Sequence, residues 1–334
     1  MAEITAEIFR DIPGLLLLSG LPASGKTTRA LEWVAEDPSR RQRLNYDDLR
    51  IELYGNDWRF NRTEEAAMKV EATRRVIEWL GAGFSVVIDN TNLTAKVRQH
   101  WHTLARAGGF PSVESEIDTP VQVCVERDSK RSGRARVGRT VIDRMALFSG
   151  FINWTSPEYG DRPFIVVDLD GTLADCEARR KRAFSTVLVH KPFNGGLCPR
   201  SAVQNGDCTV CGGKPKKDWV AFFRDVDADP EIKPVADLVR LLEAHYQLII
   251  VSGRPIDFCG HATEKWLREH YINPVHVFLR NSGDSRSDVI VKQEILELLP
   301  KDRIAFVIDD RANVVQQVWR AAGLTCLQAA EGEF

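Results

Sequence analysis

Apolar runs of strand length recur along the chain with helical patterns between them. In the first half they are LLLLS from Leu15, SVVID from Ser85 and the weaker SVESEID from Ser112. In the second half they are FIVVD from Phe164, LIIVS from Leu248, VHVFL from Val275 and IAFVID from Ile304. Residues 28–35, 64–80, 121–130, 235–245, 262–270 and 313–322 carry helical patterns. Near-continuous apolar strands alternating with helices predict parallel sheets covered on both faces. Two such series occur, which predicts two doubly wound α/β domains. The polar stretch TSPEYGDRP, residues 155–163, is the natural linker, giving domains at 1–156 and 162–334. Residues 188–217 break the rhythm with glycines, lysines and cysteines and read as an insertion in the second domain.

Composition adds limits. A chain of 334 residues suffices for two ordinary domains. Net charge is -2, so contact with nucleic acid must come from local basic patches. The apolar run Leu15 to Leu18 is too short to span a bilayer, and the first residues carry Glu3, Glu7 and Asp11 where a signal peptide would be basic. A cytoplasmic protein with no membrane contact is the expectation. Of seven cysteines, Cys198, Cys208 and Cys211 cluster, which points to a metal site in a reducing compartment.

Each domain opens on a phosphate motif. GLPASGKT, from Gly20 to Thr27, follows a buried strand and precedes a helix. Its backbone N–H groups can wrap a phosphate chain at the positive end of that helix, Lys26 can reach the β/γ-phosphates, and the Thr27 hydroxyl can hold Mg²⁺. The expected ATP contacts are Gly20, Ser24, Gly25, Lys26, Thr27 and Thr28. NYDDLR then places Asp47 and Asp48 past a strand, with Arg50 close by. A carboxylate there can accept a proton from an attacking hydroxyl, and an arginine can pair with a phosphate; acidic residues in a first helical turn are the plainer explanation. VVIDNTNL puts Asp89, Asn90 and Asn92 at a strand's carboxyl end, where open α/β sheets bind ligands. The run ERDSKRSGRARVGR, with Arg127, Lys130, Arg131, Arg134, Arg136 and Arg139, suits a lid over ATP or a nucleic-acid backbone.

Taken in order, GLPASGKT, NYDDLR, DNTNL and RDSKRSG resemble the kinase domain of phage-type polynucleotide 5′-kinase/3′-phosphatases. The resemblance implies Asp47 as general base for a 5′-hydroxyl, Arg50 on the neighbouring phosphate of the acceptor, and Arg131, with Arg134, on the ATP phosphates. In the phage pattern an Asp directly precedes the Thr-Asn pair. Here Asn90 stands there and the acid is Asp89, which leaves a different acceptor hydroxyl open.

DLDGTLA, from Asp168, resembles the first motif of haloacid-dehalogenase-type phosphatases. Two carboxylates two residues apart at a strand end suit attack on phosphorus by Asp168 and proton transfer by Asp170. Downstream, Ser252, Gly253 and Arg254 end a strand and would hold the phosphoryl group. Lys292, expected at a helix start, would neutralise charge, and Asp309 and Asp310 would complete a Mg²⁺ site with Asp168 and Asp170. Resemblance to the polynucleotide enzymes adds Asp288 and gives Arg254 an active-site role. The match covers nearly the whole chain except the insertion. There Cys208-Thr-Val-Cys211-Gly-Gly has zinc-knuckle spacing, Cys198 is a third ligand and His190 the chosen fourth ahead of Cys176, for a structural Zn²⁺. Lys214, Lys216 and Lys217 are expected to touch a substrate backbone.

The leading expectation is repair of DNA or RNA ends: removal of a 3′-phosphate and ATP-dependent phosphorylation of a 5′-hydroxyl, with a separate ligase to seal. A kinase for hydroxymethylated bases or a small metabolite is the alternative, and a zinc-dependent binding protein with decayed catalytic domains is a third. The related phage enzymes assemble as tetramers, so a homo-oligomer is an expectation by analogy.

Overall fold

LLLLS forms β1 (Leu15–Ser19), every residue of it buried, as a strand covered on both faces requires. In this computed structural model the chain is described for Phe9 and residues 12–189, 203–204, 207–208 and 214–332. β1 lies inside a parallel four-stranded sheet, between β3 (Ser85–Asp89) and β4 (Ser112–Glu116), with β2 (Arg41–Leu44) outside β3. Helices α1 (Lys26–Glu36), α2 (Tyr46–Tyr54), α3 (Arg62–Gly81), α4 (Ala95–Ala107) and α5 (Val121–Ser129) accompany it. Polar caps set three helix starts: Asn45, Asn61 and Thr94 accept hydrogen bonds from backbone N–H groups in the first turns of α2, α3 and α4. Along α3, Met68, Ala72, Val76 and Leu80 recur every four residues and bury one stripe against Leu15, Leu17, Val86 and Ile88.

The second sheet has order β11-β10-β5-β12-β13 and is also parallel throughout. Its strands are β5 (Phe164–Val167), β10 (Gln247–Pro255), β11 (His276–Arg280), β12 (Ile304–Arg311) and β13 (Cys326–Gly332). Ile165, Val167, Leu248, Ile250, Val277 and Leu279 pack its core with Trp266. Its helices are α7 (Glu177–Ala183), α8 (Trp219–Phe222), α9 (Lys233–Leu242), α10 (Ile256–Glu269), α11 (Asp288–Leu296) and α12 (Ala312–Val314), which runs on as a π-helix over Val315–Arg320.

All the expected apolar strands form. The outer strand β13 was not expected, because CLQAAEG has neither an apolar run nor clean alternation. Lys292, expected to begin a helix, lies inside α11, whose first residue is Asp288. Two compact units emerge, Met1–Val137 with Met145–Ile152, and Gly138–Arg144 with Asn153–Phe334. Helix α6 (Arg139–Ser149) contributes its first residues to the second unit. There the buried Asp143 carboxylate accepts the Val277 N–H at 2.9 Å and lies 2.9 Å from His276 Nδ1, while the Tyr159 hydroxyl meets His276 Nε2 at 2.7 Å. Tyr159 comes from the stretch expected as linker.

The insertion builds small antiparallel pairs, β6 (Phe184–Val189) with β9 (Lys214–Lys217) and β7 (Val203–Gln204) with β8 (Asp207–Cys208). His190, Cys198 and Cys211 lie outside the described residues, and Cys208 is described only as backbone in β8. Among the described residues no helix is long and apolar enough to cross a membrane.

Ile250 is fully buried in β10, beside the central strand. Ile250→Ala should destabilise the second unit by about 2–5 kcal/mol, read by urea unfolding followed through tryptophan fluorescence.

Candidate active sites

In the first unit the turn after β1 carries Gly20 at φ 149° and Gly25 at φ 105°, both in the region that favours glycine. A Cβ on Gly20 would also meet the Ile117 carbonyl oxygen at 2.9 Å. This backbone leads straight into α1, with Thr27 and Thr28 exposed at its start. Lys26 folds back over the loop, donating to the carbonyls of Gly20 at 2.9 Å and Leu21 at 2.5 Å and to the Ser24 hydroxyl at 3.3 Å. Burial, reinforced by Arg131 and opposed by Asp89, brings the Lys26 pKa down to about 8. A polyphosphate would favour the charged form of Lys26, so the loop fits an anionic nucleotide.

Asp47 is the second residue of α2, with its side chain 84% exposed, and Arg50 donates to it at 2.5 Å. Arg50 is also bound in parallel to Glu65, at 2.9 Å on each oxygen, so its guanidinium is already oriented. Asp89 turns to Arg43, which was not singled out in the sequence, with contacts of 2.8 and 2.7 Å. Its other oxygen, Oδ1, is buried without a hydrogen-bond partner. Asn90 Oδ1 accepts the Tyr46 N–H at 2.9 Å, and the buried Asn92 donates to the Leu18 carbonyl at 2.7 Å. These two asparagines therefore tie the end of β3 to α2 and β1. Of the basic run, Arg127 donates to the Ser24 carbonyl at 3.3 Å, Arg131 to the Ala135 carbonyl at 3.3 Å, and Arg134 to the Trp58 carbonyl.

In the second unit β5, β10 and β12 deliver their motifs to one place. Lys292, fully buried, lies 2.9 Å from Asp168 Oδ2 and 2.7 Å from Asp309 Oδ2. Asp309 also accepts the Trp319 indole N–H at 2.9 Å and the Arg311 N–H at 3.1 Å. Thr172 donates to Asp310 at 3.2 Å. Asp168, Asp309 and Asp310 each offer an oxygen, all within 4.8 Å of one another. Burial first, then the charges of Asp309 and Asp310, lift the Asp168 pKa to about 8 against the pull of Lys292. Burial and Asp309 lift Asp310 to about 6. For Lys292, burial opposes the charge, but Asp168 and Asp309 outweigh it and hold the ammonium above its ordinary value. Asp168 Oδ1 is buried with no hydrogen-bond partner. Three crowded, mutually repelling carboxylates with an orphaned oxygen fit a hard divalent cation such as Mg²⁺.

Asp170, expected as a further magnesium ligand, turns elsewhere. Arg254 and Arg179 donate to it, each at 2.6 Å through one terminal nitrogen. Burial opposes its charge, yet these two guanidinium groups hold its pKa below the ordinary value. Arg254 is fully buried and also donates to Thr263 at 3.2 Å, so it braces Asp170. Ser252 is buried at the end of β10, where its hydroxyl accepts the Arg254 N–H at 3.4 Å. Asp288, at the start of α11, is gripped by Arg280 and Arg311. A Cβ on Gly253 would run into Asp288, and one on Gly171, at φ 83°, into Asp310. A cavity of about 610 Å³ opens over Asp168, Asp170, Ser252 and Asp288. Arg179, Asp229, Arg280 and Arg311 were not singled out from sequence, since a lone arginine carries no motif. Cys176, weighed as a zinc ligand, is buried beside Phe222 and its thiol is pushed up by burial to about 12.

Comparison with known proteins agrees with this geometry. Residues 207–334 match the family model described as polynucleotide kinase PNKP phosphatase domain, and residues 15–148 match an AAA domain. One chain thus holds a segment similar to an AAA-type P-loop domain followed by one similar to the polynucleotide kinase phosphatase domain. Such domains use a nucleotide and a divalent metal. The phosphatase match contains Ser252, Asp288, Lys292, Asp309 and Asp310 and lies downstream of Asp168 and Asp170, which β5 brings to the same site. A curated relative, the putative bifunctional polynucleotide kinase/RNA ligase of Autographa californica nuclear polyhedrosis virus, is 23% identical over 331 residues. That alignment covers 92% of this chain and 41% of the relative, so the chain spans well under half of that protein. Among solved structures, one of the Pnkp1/Rnl/Hen1 RNA repair complex covers 97% of both chains at 23% identity and TM-score 0.37. The Mycobacterium tuberculosis APS kinase CysC with AMPPNP and APS covers 36% of this chain and 70% of its own at 23% identity and TM-score 0.31. Structural likeness at this level does not bear on chemistry.

The raised Asp168 pKa has a signed consequence. Its folded value of about 8 lies above the unfolded carboxylate value of roughly 4. The metal-free domain therefore binds more protons folded than unfolded across that window, and its stability falls as pH rises through it. Mg²⁺ must displace protons there, so its apparent affinity should strengthen as pH rises towards about 8 and then level off. Calorimetric titration in buffers of different ionisation enthalpy should record the proton release; a flat pH profile would contradict the arrangement.

Proposed function

We propose that this chain heals broken polynucleotide ends, using the second domain to remove a 3′-phosphate and the first to phosphorylate a 5′-hydroxyl with ATP. The observation that carries this reading is the presence in one chain of two phosphate centres of opposite sense. One is the Lys26 loop with Asp47 and Arg50; the other is the buried set Asp168, Lys292, Asp309 and Asp310. The two reactions act on opposite sides of a break and do not cancel.

In the kinase, ATP lies on Gly20, Ser24, Gly25, Lys26, Thr27 and Thr28, with the Thr27 hydroxyl on Mg²⁺. Asp47, exposed beside Arg50, takes the proton of the acceptor hydroxyl, and Arg50 pairs with the neighbouring phosphate. Arg131 and Arg134 close over the transferred phosphoryl group. The placement of Asn90 and Asn92 supports a positioning role for them through the backbone of β1 and α2.

In the phosphatase, an Asp168 oxygen forms a bond to phosphorus as the bond to the 3′-oxygen breaks, giving an acyl-phosphate that water later hydrolyses. Asp170 gives a proton to the departing oxygen and takes one from the water; Arg179 and Arg254 hold its carboxylate and favour the ionised form. To donate, Asp170 must first take up a proton from solvent against that pull, and the carboxylate left by the transfer then accepts one from the attacking water. Ser252 and the Gly253 backbone hold the phosphoryl oxygens, and Lys292 balances the charge on them. Asp168, Asp309 and Asp310 would hold Mg²⁺, which would supply positive charge to the phosphoryl oxygens.

The products, a 3′-hydroxyl and a 5′-phosphate, are what a ligase consumes. The curated relative's name, pairing polynucleotide kinase with RNA ligase, supports a separate ligase as partner. Zinc on His190, Cys198, Cys208 and Cys211, and a cytoplasmic setting, belong to the same proposal, supported by the CxxCGG spacing. One observation favours a second reading of the kinase alone: Asp89 is engaged by Arg43, which leaves a modified base or small metabolite as acceptor.

An oligonucleotide bearing a 5′-hydroxyl and a 3′-phosphate, with labelled ATP and Mg²⁺, separates these readings. Lys26→Ala should lower 5′ labelling by about 100-fold or more while 3′-phosphate release continues, and Asp168→Asn should do the reverse. Loss of both reactions in either folded variant would refute two separate sites. Release of the 3′-phosphate without any 5′ labelling by the unaltered protein would favour the second reading.

A further inference from the structure

The phosphatase cavity is larger and more apolar than a phosphoryl group requires. Away from the carboxylates its lining includes Trp219, Val220 and Phe258, which are 47%, 62% and 51% exposed. Phe223 lies nearly parallel to Trp219, with ring centroids 6.0 Å apart and planes 23° apart. Lys217 places its ammonium 5.9 Å from the centre of the Trp219 ring. Aromatic faces beside cations in a phosphate site match a nucleobase followed by its own backbone charge. The cavity volume lies within the small-molecule range of about 300–1,000 Å³, and about 610 Å³ suits a single splayed-out nucleoside better than a stacked base pair.

This wall is fixed to the reacting groups. Asp218 caps α8 by accepting the Ala221 N–H at 3.0 Å. Arg179, which holds Asp170, also donates to the Phe222 carbonyl at 2.6 Å and to Asp229 at 2.7 Å. On the other side the Cys259 thiol of α10 reaches the Phe223 carbonyl at 3.7 Å. One buried guanidinium thus sets the distance between the aromatic wall and Asp170.

We infer that Trp219, with Phe258, forms a subsite that stacks the terminal nucleobase of a 3′-phosphorylated strand, so that the phosphatase favours ends that carry a base. The inference rests on the phosphatase reading above. Its test compares two single-stranded oligonucleotides ending in a 3′-phosphate, identical except that one lacks the terminal base. The unaltered protein should favour the base-bearing strand in kcat/KM by about 5- to 150-fold, the range expected for one base–aromatic stack. Trp219→Ala should bring that ratio close to one, Trp219→Phe should keep most of it, and Phe258→Ala should lower it partly. Equal rates on the two strands with the unaltered protein would overturn the subsite. So would a Trp219→Ala loss that is the same for both strands, which marks a structural role. If the unaltered protein released phosphate from neither strand, the phosphatase reading itself would fail, an outcome distinct from an absent base preference.

Discussion

The second domain is organised around one unfavourable arrangement, three carboxylates gathered about a single buried ammonium. Asp168, Asp309 and Asp310 come from two neighbouring strands, and Lys292 is the cation set between two of them. One ammonium cannot neutralise three buried carboxylates, and burial, followed by repulsion among the acids, raises the pKa values of Asp168 and Asp310. The surplus charge and the unpartnered Asp168 oxygen suit a divalent cation. Much of the surrounding detail follows. Gly171 is required where a side chain would strike Asp310, and Trp319 and Thr172 supply the remaining donors.

The parallel sheets explain how such a cluster is assembled. A parallel strand ends on the same side of the sheet as its neighbours, so residues at the ends of β5, β10 and β12 converge though scores of positions separate them in sequence. The first domain uses the same rule at the ends of β1 and β3. There the positive-φ glycines and the start of α1 suit an anion, and Lys26 turns onto the loop's own carbonyls. In both domains a buried lysine is held by nearby acceptors, but burial alone dominates for Lys26 while acidic neighbours dominate for Lys292. The two lysines are accordingly displaced in opposite directions from the same ordinary value.

Arginines do the bracing throughout. Arg50 on Glu65, Arg43 on Asp89, Arg254 on Asp170 and Arg179 on Asp229 each use two guanidinium nitrogens, a geometry a lysine cannot reproduce, while Arg280 and Arg311 each reach Asp288 through one. Asp170 illustrates the effect: against the cost of burial, Arg254 and Arg179 hold its pKa below the ordinary value and fix its direction, and Arg179 extends the bracing to the aromatic wall at Phe222.

The sequence by itself determined the two parallel-sheet domains, the P-loop and the acidic strand ends. These are local: apolar runs specify buried strands, glycines specify turns with positive φ, and short motifs stay contiguous when the chain folds. It also singled out Lys292, which the fold sets beside Asp168 and Asp309, though not its place within α11, because a capping signal at Ser287–Asp288 is weak beside the apolar residues that follow. Only the tertiary structure decided which groups pair. That Asp89 faces Arg43, that Asp170 faces Arg179 and Arg254 and leaves the other three acids to share the cation site, and that Trp219 lines the same cavity as Asp168 are contacts between residues distant along the chain. No spacing rule encodes such pairs, because a charged side chain's partner is set by which strands and helices the sheet makes neighbours.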